Sequence, residues 1–150
     1  MRSSIYEMKR VRSISPVAIG TTGTGQTGKI VDRRPTVSGV TYNYRRVAFE
    51  FDFGTITATN ANYTIVVKEG DVTSTMTSIA DADLDGTEAG AQPGQAATRT
   101  SGTSKNVSFR LGYKGTKRYV QVAKLSSTVT ATTPVAATVL LMDPDVAPVA

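Results

Sequence analysis

The chain has 150 residues, a length typical of one domain, and a formal net charge of +5. It contains no His and no Cys, which excludes disulfide bonds, Cys-bound zinc, and both Ser-His-Asp and Cys-His catalysis. No carboxylate pair stands out as an acid and base, so we predict that the protein is not an enzyme and uses no cofactor or metal.

The N-terminal segment is basic, but no apolar run follows it, so no secretory signal is predicted. The longest apolar stretch, residues 134–142, is too short to cross a bilayer as a helix. We therefore expect a soluble protein that folds where it is made. Its positive charge is compatible with nucleic acid, an anionic membrane or an acidic protein lattice as the partner.

Residues 1–27 are predicted to form a basic N-terminal arm and a Thr/Gly-rich linker that precede the folded domain. Ile5, Met8 and Val11 have the spacing of one helix face, but a strand that grips a neighbouring molecule is equally compatible with this short segment. The folded domain is assigned to residues 28–143.

The clearest strand signal lies between Tyr44 and Phe53. Apolar and polar residues alternate there with the period of two that is typical of a half-buried strand, and the apolar set is Val47, Phe49, Phe51 and Phe53. Three of the four phenylalanines of the chain belong to this set. We therefore expect this strand to organise the core.

Shorter alternating segments predict the other strands, which are assigned to residues 28–32, 63–68, 73–79, 107–111, 118–124 and 135–141. Gly112 and Gly115 are predicted to allow a tight turn that other residues could not adopt. Residues 88–105 lack hydrophobic periodicity and are predicted to form a mobile loop. The prolines of residues 144–150 predict a C-terminal tail outside any regular central strand.

About seven short strands, with no helix long enough for a βαβ crossover, predict the fold class. It is an all-β, single-domain antiparallel β-sandwich or barrel with an extended N-terminal arm and a C-terminal tail.

Residues 23–29 read G-T-G-Q-T-G-K, which matches part of a phosphate-binding P-loop. However, Ile30 follows where Ser or Thr is needed for magnesium, and Pro35 stops the helix that would have to begin there. We interpret the segment as a flexible linker.

Asp81, Asp83 and Asp85 precede Gly86 in the pattern that begins a calcium-binding loop. The position of the bidentate Glu is occupied by Gln92, so we interpret this segment as a solvated turn.

Basic residues occur in groups near several tyrosines, an arrangement that could neutralise and stack single-stranded nucleic acid. The groups are Lys9, Arg10 and Arg12; Arg33 and Arg34; Arg45 and Arg46; and Lys114, Lys117 and Arg118, with Tyr42, Tyr44, Tyr113 and Tyr119 among them. We favour the other interpretation, in which the charges are solvated strand ends and the tyrosines lie at sheet margins.

Residues 107–122 read V-S-F-R-L-G-Y-K-G-T-K-R-Y-V-Q-V, and residues 143–149 read D-P-D-V-A-P-V. This resembles a family of small structural proteins encoded in the head gene clusters of tailed bacteriophages, in which a strand ends in G-Y-x-G-x-K-R-Y-V-x-V. The phenylalanine strand and residues 67–84 look like that family's strand, turn and acidic loop. The resemblance covers residues 28–149.

The resemblance implies a virion structural protein, a capsid decoration (cement) protein that binds the outside of the major capsid protein lattice after assembly in the host cytoplasm. It also implies a homo-oligomer, with a trimer favoured, and no membrane partner. The expected capsid contacts are Lys9, Arg10, Arg12, Lys117 and Arg118. A neck, head–tail joining or head-fibre component is the structural alternative, and a single-stranded nucleic-acid-binding barrel is the alternative of another class.

Overall fold

A computed structural model describes residues 7–19, 26–55, 63–88, 107–127 and 133–146. The described residues form strands, apart from a short 3-10 helix at Asp81–Asp83 and the connecting turns. The strands are β1 (Met8–Ile19), β2 (Val31–Asp32), β3 (Thr36–Val37), β4 (Val40–Thr41), β5 (Tyr44–Phe53), β6 (Tyr63–Val72), β7 (Thr75–Ser78), β8 (Leu84–Asp85), β9 (Val107–Tyr113), β10 (Tyr119–Ser127) and β11 (Thr133–Pro144).

The strands form two main antiparallel sheets that pack against each other. One sheet has five strands in the order β1-β11-β5-β9-β8, and the other has four strands in the order β2-β10-β6-β7. Strands β3 and β4 make a small separate hairpin. The prediction of an all-β antiparallel fold is confirmed. Of the two predicted architectures, a sandwich and a barrel, the structure has the sandwich.

Strand β5 lies in the middle of the five-stranded sheet and supplies the centre of the core. Its inward residues Val47, Phe49, Phe51 and Phe53 are all buried, because alternate residues of a strand point to the same face. Buried side chains of β6 and β10 belong to the same cluster, namely Ile65, Val67, Val120 and Val122. One continuous apolar cluster therefore joins the two sheets.

Residues 8–19 belong to the sandwich, although sequence analysis assigned them to an arm outside the domain. As β1 they pair with β11 from Met8, opposite Met142, to Ile19, opposite Thr133. Only residues 1–6 and 20–25 of the predicted arm and linker lie outside the described residues. The boundary between arm and domain is therefore corrected.

Two β-bulges give the inward residues of this strand an unusual spacing. The register of β1 shifts between Arg12 and Ile14 and again between Ile14 and Val17. Each bulge adds one residue, so Val11, Ile14 and Val17 face the core although they are three residues apart. A strand at the edge of a sheet also tolerates Pro16, which has no N–H to donate.

The C-terminal boundary of the domain also differs slightly from residue 143, the end assigned from the sequence. Strand β11 runs on to Pro144, which lies opposite Tyr44, and Asp143 just before it has a positive φ of 56°. A proline is tolerated here because the described pairing of β11 with β1 ends at Met142, so Pro144 lies opposite β5 on one side only. The predicted loop at residues 88–105 lies outside the described residues except for Glu88, whose carboxylate accepts a hydrogen bond from the Val67 N–H.

Gly112 and Gly115 are needed for close packing and not for a turn conformation. Gly112 lies within β9, and neither glycine has a positive φ. A Cβ at Gly112 would lie 2.8 Å from the Cβ of Asp85, and one at Gly115 would lie 2.5 Å from the Oη of Tyr113. The prediction that these glycines shape a turn is therefore corrected.

We expect Gly115→Ala to lower the free energy of unfolding by about 1–3 kcal/mol, the usual cost of overpacking. The Tyr113 ring cannot move aside easily, because its hydroxyl donates a hydrogen bond to the Glu69 carboxylate. Urea denaturation would measure the change, and Thr116→Ala in the same loop, at an exposed position, is the matched control. Equal stability of the two variants would contradict the packing role.

Candidate interaction surface

The predicted contact residues Lys9, Arg10 and Arg12 lie on the edge strand β1 but not on one face of it. Arg10 pairs with Leu140 and Arg12 with Thr138, whereas Lys9 pairs with the buried Leu141. Directly opposed residues point to the same side of a sheet. Arg10 and Arg12 therefore face outward, and Lys9 points to the core side at the sheet edge.

Register brings two further arginines onto the same outer face. Arg46 of β5 lies opposite Met142, and Arg110 of β9 lies opposite Glu50. We call the outer side of the five-stranded sheet, with Arg10, Arg12, Arg46 and Arg110, the arginine face. Its cations come from three strands that are far apart in the chain.

Glu50 is the carboxylate at the centre of the arginine face. One of its oxygens lies 3.2 Å from a guanidinium nitrogen of Arg10, and the other lies 2.5 Å from one of Arg110. Both arginines are largely exposed, so each pair contributes about 0–1 kcal/mol. Arg12 and Arg46 make no ion pair with any described residue, which leaves the face positive.

A shallow depression of about 670 Å³ lies at one end of the arginine face. Small residues, Ala48 of β5 and Gly112 of β9, lie side by side beneath it. Its lining also includes Val47, Asp85, Tyr113 and Met142. Four basic residues complete it, namely Arg45, Arg46, Arg110 and Lys114. We call it the cationic depression, and it can accept an acidic group from another molecule.

The other two predicted contacts, Lys117 and Arg118, lie apart from β1. They follow β9, which is three strand spacings, or about 14 Å, from β1 within the sheet. The Lys117 ammonium lies 2.7 Å from a carboxylate oxygen of Asp71. Arg118 donates two hydrogen bonds to Asp32, at 3.1 and 2.8 Å. Local carboxylates balance both charges. Because Lys117 and Arg118 lie apart from β1, the five predicted contacts do not form one patch.

Opposing effects set the pKa of Asp32. Partial burial raises it, but hydrogen bonds from the Arg118 side chain and the Arg34 N–H outweigh burial and hold the pKa below the ordinary 3.8. A lowered pKa means that the ionised form is favoured by folding. The resulting stability is present above pH 3.8 and is lost as the pH falls through the pKa of the folded protein.

We expect Asp32→Asn to reduce stability by about 1 kcal/mol or less at neutral pH, because the pair is partly exposed to solvent. The difference from the wild type should shrink as the pH falls below 3.8. Urea midpoints measured over a pH series would test this. The control is Asp81→Asn, at an exposed position that makes no ion pair with the described residues. A difference independent of pH would show that the carboxylate charge plays no part.

Arg33 is a buried structural residue, so the interpretation of Arg33 and Arg34 as a solvated basic group is wrong for Arg33. It is only 7% exposed, and its guanidinium donates hydrogen bonds of 2.9–3.1 Å to four backbone carbonyls, those of Tyr44, Arg45, Gly115 and Lys117. It also lies 5.2 Å from the centre of the Tyr113 ring. Arg33 thereby ties the loop after β9 to the start of β5, and both segments border the cationic depression.

Burial lowers the pKa of Arg33, and burial together with the hydrogen bond to Glu69 raises that of Tyr113. Both shifts leave the ordinary charge states in place at neutral pH, because arginine is not deprotonated in proteins and a raised tyrosine pKa keeps the phenol neutral. Arg33 therefore stays charged and holds the two segments together, and we call it the arginine anchor.

The tyrosines near the basic groups are mostly not available for base stacking. Tyr42, Tyr44 and Tyr113 are buried in the core. Tyr119 is half-buried, and the Arg118 guanidinium covers its ring at 5.0 Å from the ring centre. These positions weigh against the stacking platform that a single-stranded nucleic-acid-binding barrel would need.

Neither ligand-like sequence motif forms a binding site within the described residues. The Gly28 and Lys29 N–H groups donate to Val122 and Ser13 at 2.8 and 3.0 Å, so they join the two sheets and do not face a phosphate. The described acidic residues, Asp81, Asp83 and Asp85 included, form no group of three that could hold a metal ion.

Comparisons of the chain with protein-family models, curated proteins and solved structures found no match. In the described part of the chain, no helix is both long and apolar enough to span a bilayer.

Proposed function

We propose that the chain is a bacteriophage virion structural protein, a capsid decoration protein that binds the outside of the major capsid protein lattice and stabilises the head. The arginine face carries this proposal, because it presents several exposed cations on a sandwich with one continuous core. Such a face suits an acidic protein lattice, where complementary charges guide docking and fix orientation. The resemblance of residues 107–122 to phage head proteins supplies the identity of the lattice.

Carboxylates on the same outer face favour a protein partner over nucleic acid. Glu50 lies between Arg10 and Arg110, and Asp52 accepts a hydrogen bond of 2.6 Å from the Ser108 hydroxyl. A phosphate backbone would meet these negative charges at close range, whereas a protein surface can oppose each sign with its opposite. A mixed face of this kind supports protein docking.

The copy number and position of the chain in purified phage particles test the proposal, by quantitative gel and cryo-electron microscopy. Many copies spread over the shell would support capsid decoration. A few copies at one vertex would favour the neck or head–tail joining alternative. Absence from the particles would overturn the virion role and favour the nucleic-acid alternative, which predicts affinity that falls steeply with salt.

Variants at the arginine face show whether it makes the contact. Arg10→Ala/Arg12→Ala removes two outward cations of β1 and should lower the ratio of this chain to the major capsid protein. Lys117→Ala is the comparison, because Asp71 already pairs with Lys117 and occupancy should stay at the wild-type level. Unchanged occupancy in the double variant would exclude the β1 cations as capsid contacts.

A further inference from the structure

The cationic depression carries more positive than negative charge. Four basic residues, Arg45, Arg46, Arg110 and Lys114, line it together with one acidic residue, Asp85. Arg110 pairs with Glu50, whereas Arg46 and Lys114 make no ion pair with any described residue. Unpaired cations around a concave surface attract carboxylates from another molecule.

An acidic segment borders this depression, and its last residue, Asp85, belongs to the lining. Residues 81–85, which we call the acidic turn, carry Asp81, Asp83 and Asp85. The Lys114 N–H donates a 2.8 Å hydrogen bond to the Asp83 carbonyl and fastens the turn at this place. The three carboxylates make no ion pair with described residues, although cations lie close by. Opposite charges therefore lie side by side on this surface.

Apolar side chains adjoin the same surface. Met142 borders the cationic depression and also a second, smaller depression of about 280 Å³, which Met8 lines as well. Met8 is 42% exposed. Met and Arg are enriched in protein–protein interfaces, where apolar contact supplies affinity and charge supplies specificity. The surface thus combines an apolar part with charges of both signs.

We propose that this surface is a contact between copies of the chain, in which the acidic turn of one copy lies in the cationic depression of a second. A surface that presents both signs side by side is complementary to itself. The contact gives Arg46 and Lys114 carboxylate partners, which they lack among the described residues of their own chain. It also buries Met8 and Met142, and it forms whether or not the chain binds a capsid.

Sedimentation velocity of the purified chain over a range of concentrations tests self-association directly. We expect an assembly larger than one chain at low ionic strength. The assembly should weaken from about 0.1 to about 1 M salt, over which the screening length falls from about 10 to about 3 Å. A chain that stays monomeric at every concentration and at low salt overturns the proposal.

Charge exchange identifies the contact. Arg46→Glu/Lys114→Glu makes the depression acidic, and Asp81→Lys/Asp85→Lys makes the turn basic, so each double variant should weaken association about tenfold or more through like-charge repulsion. The variant with all four exchanges has complementary signs again and should recover association. Loss in both double variants without recovery in the fourfold variant overturns the proposal.

A charge-matched control separates this contact from a general effect of net charge. Lys29→Glu/Arg34→Glu changes net charge as much as Arg46→Glu/Lys114→Glu does, at exposed positions outside the depression. The control should associate like the wild type, and thermal melting should show that all variants are folded. Equal weakening in the control overturns the assignment of the contact to this surface.

Discussion

Replacing Phe49 with Ala will lower the free energy of unfolding by about 3–5 kcal/mol, the usual cost of truncating a buried phenylalanine. Phe49 has no exposed surface and lies on β5, with Val139 of β11 on one side and Leu111 of β9 on the other. Strands on both sides and the second sheet hold its surroundings in place, so the cavity cannot collapse. Chemical denaturation of the purified variant measures the loss.

Phe109→Ala is the matched control for this prediction. Phe109 is in the same sheet and contacts Phe53 edge-to-face at a ring-centre distance of 6.0 Å, but it is only partly buried. Its truncation removes less apolar surface from the core, so the loss should be clearly smaller. Equal losses would show that β5 does not organise the core.

Replacing Arg33 with Met will lower stability by about 1–3 kcal/mol or more, because a buried carbonyl that loses its hydrogen-bond donor costs about that much. Methionine fills much of the same space but leaves the four carbonyls of Tyr44, Arg45, Gly115 and Lys117 without their donor. Arg33→Lys should recover little, because one ammonium cannot reproduce the planar fork of donors.

Arg34→Met is the control for the anchor, since Arg34 is the next residue and is exposed. It loses one exposed hydrogen bond to Asn43 and should change stability by about 0.5 kcal/mol or less. Equal stability of Arg33→Met and Arg34→Met would contradict this prediction. It would mean that burial of the methionine offsets the loss of all four hydrogen bonds of Arg33.

Local patterns predicted the strands that run without interruption. The alternation around Phe49 and Phe51 survives in β5 because that strand has no bulge and is flanked by strands on both sides. For the edge strand β1 the sequence left a helix and a strand as alternatives, and it placed the segment in an arm outside the domain. Its two bulges change the spacing of core residues from the two that marks a strand to three. A bulge depends on the partner strand, and therefore on contacts that the local sequence does not contain.

The arginine face shows the same dependence on long-range pairing. Arg10 and Arg12 could be named from the sequence because they stand in one basic cluster. Arg110 joins them only because β11 and β5 lie between β1 and β9 in the sheet. Likewise, Arg33 and Arg34 are adjacent in the sequence and differ only in their surroundings, one buried and one exposed. Nothing local distinguishes the anchor from its neighbour.

The pairing of β1 with β11 governs the order in which the protein can fold. The first described strand pairs with the last one, so during synthesis β1 cannot pair until β11 has left the ribosome. Contacts between distant segments make folding slow, on the order of milliseconds to seconds for β-sandwiches. Until β11 arrives, the growing chain presents β1 unpaired to its neighbours. The charges of Lys9, Arg10 and Arg12 and the missing N–H of Pro16 then hinder aggregation through this strand.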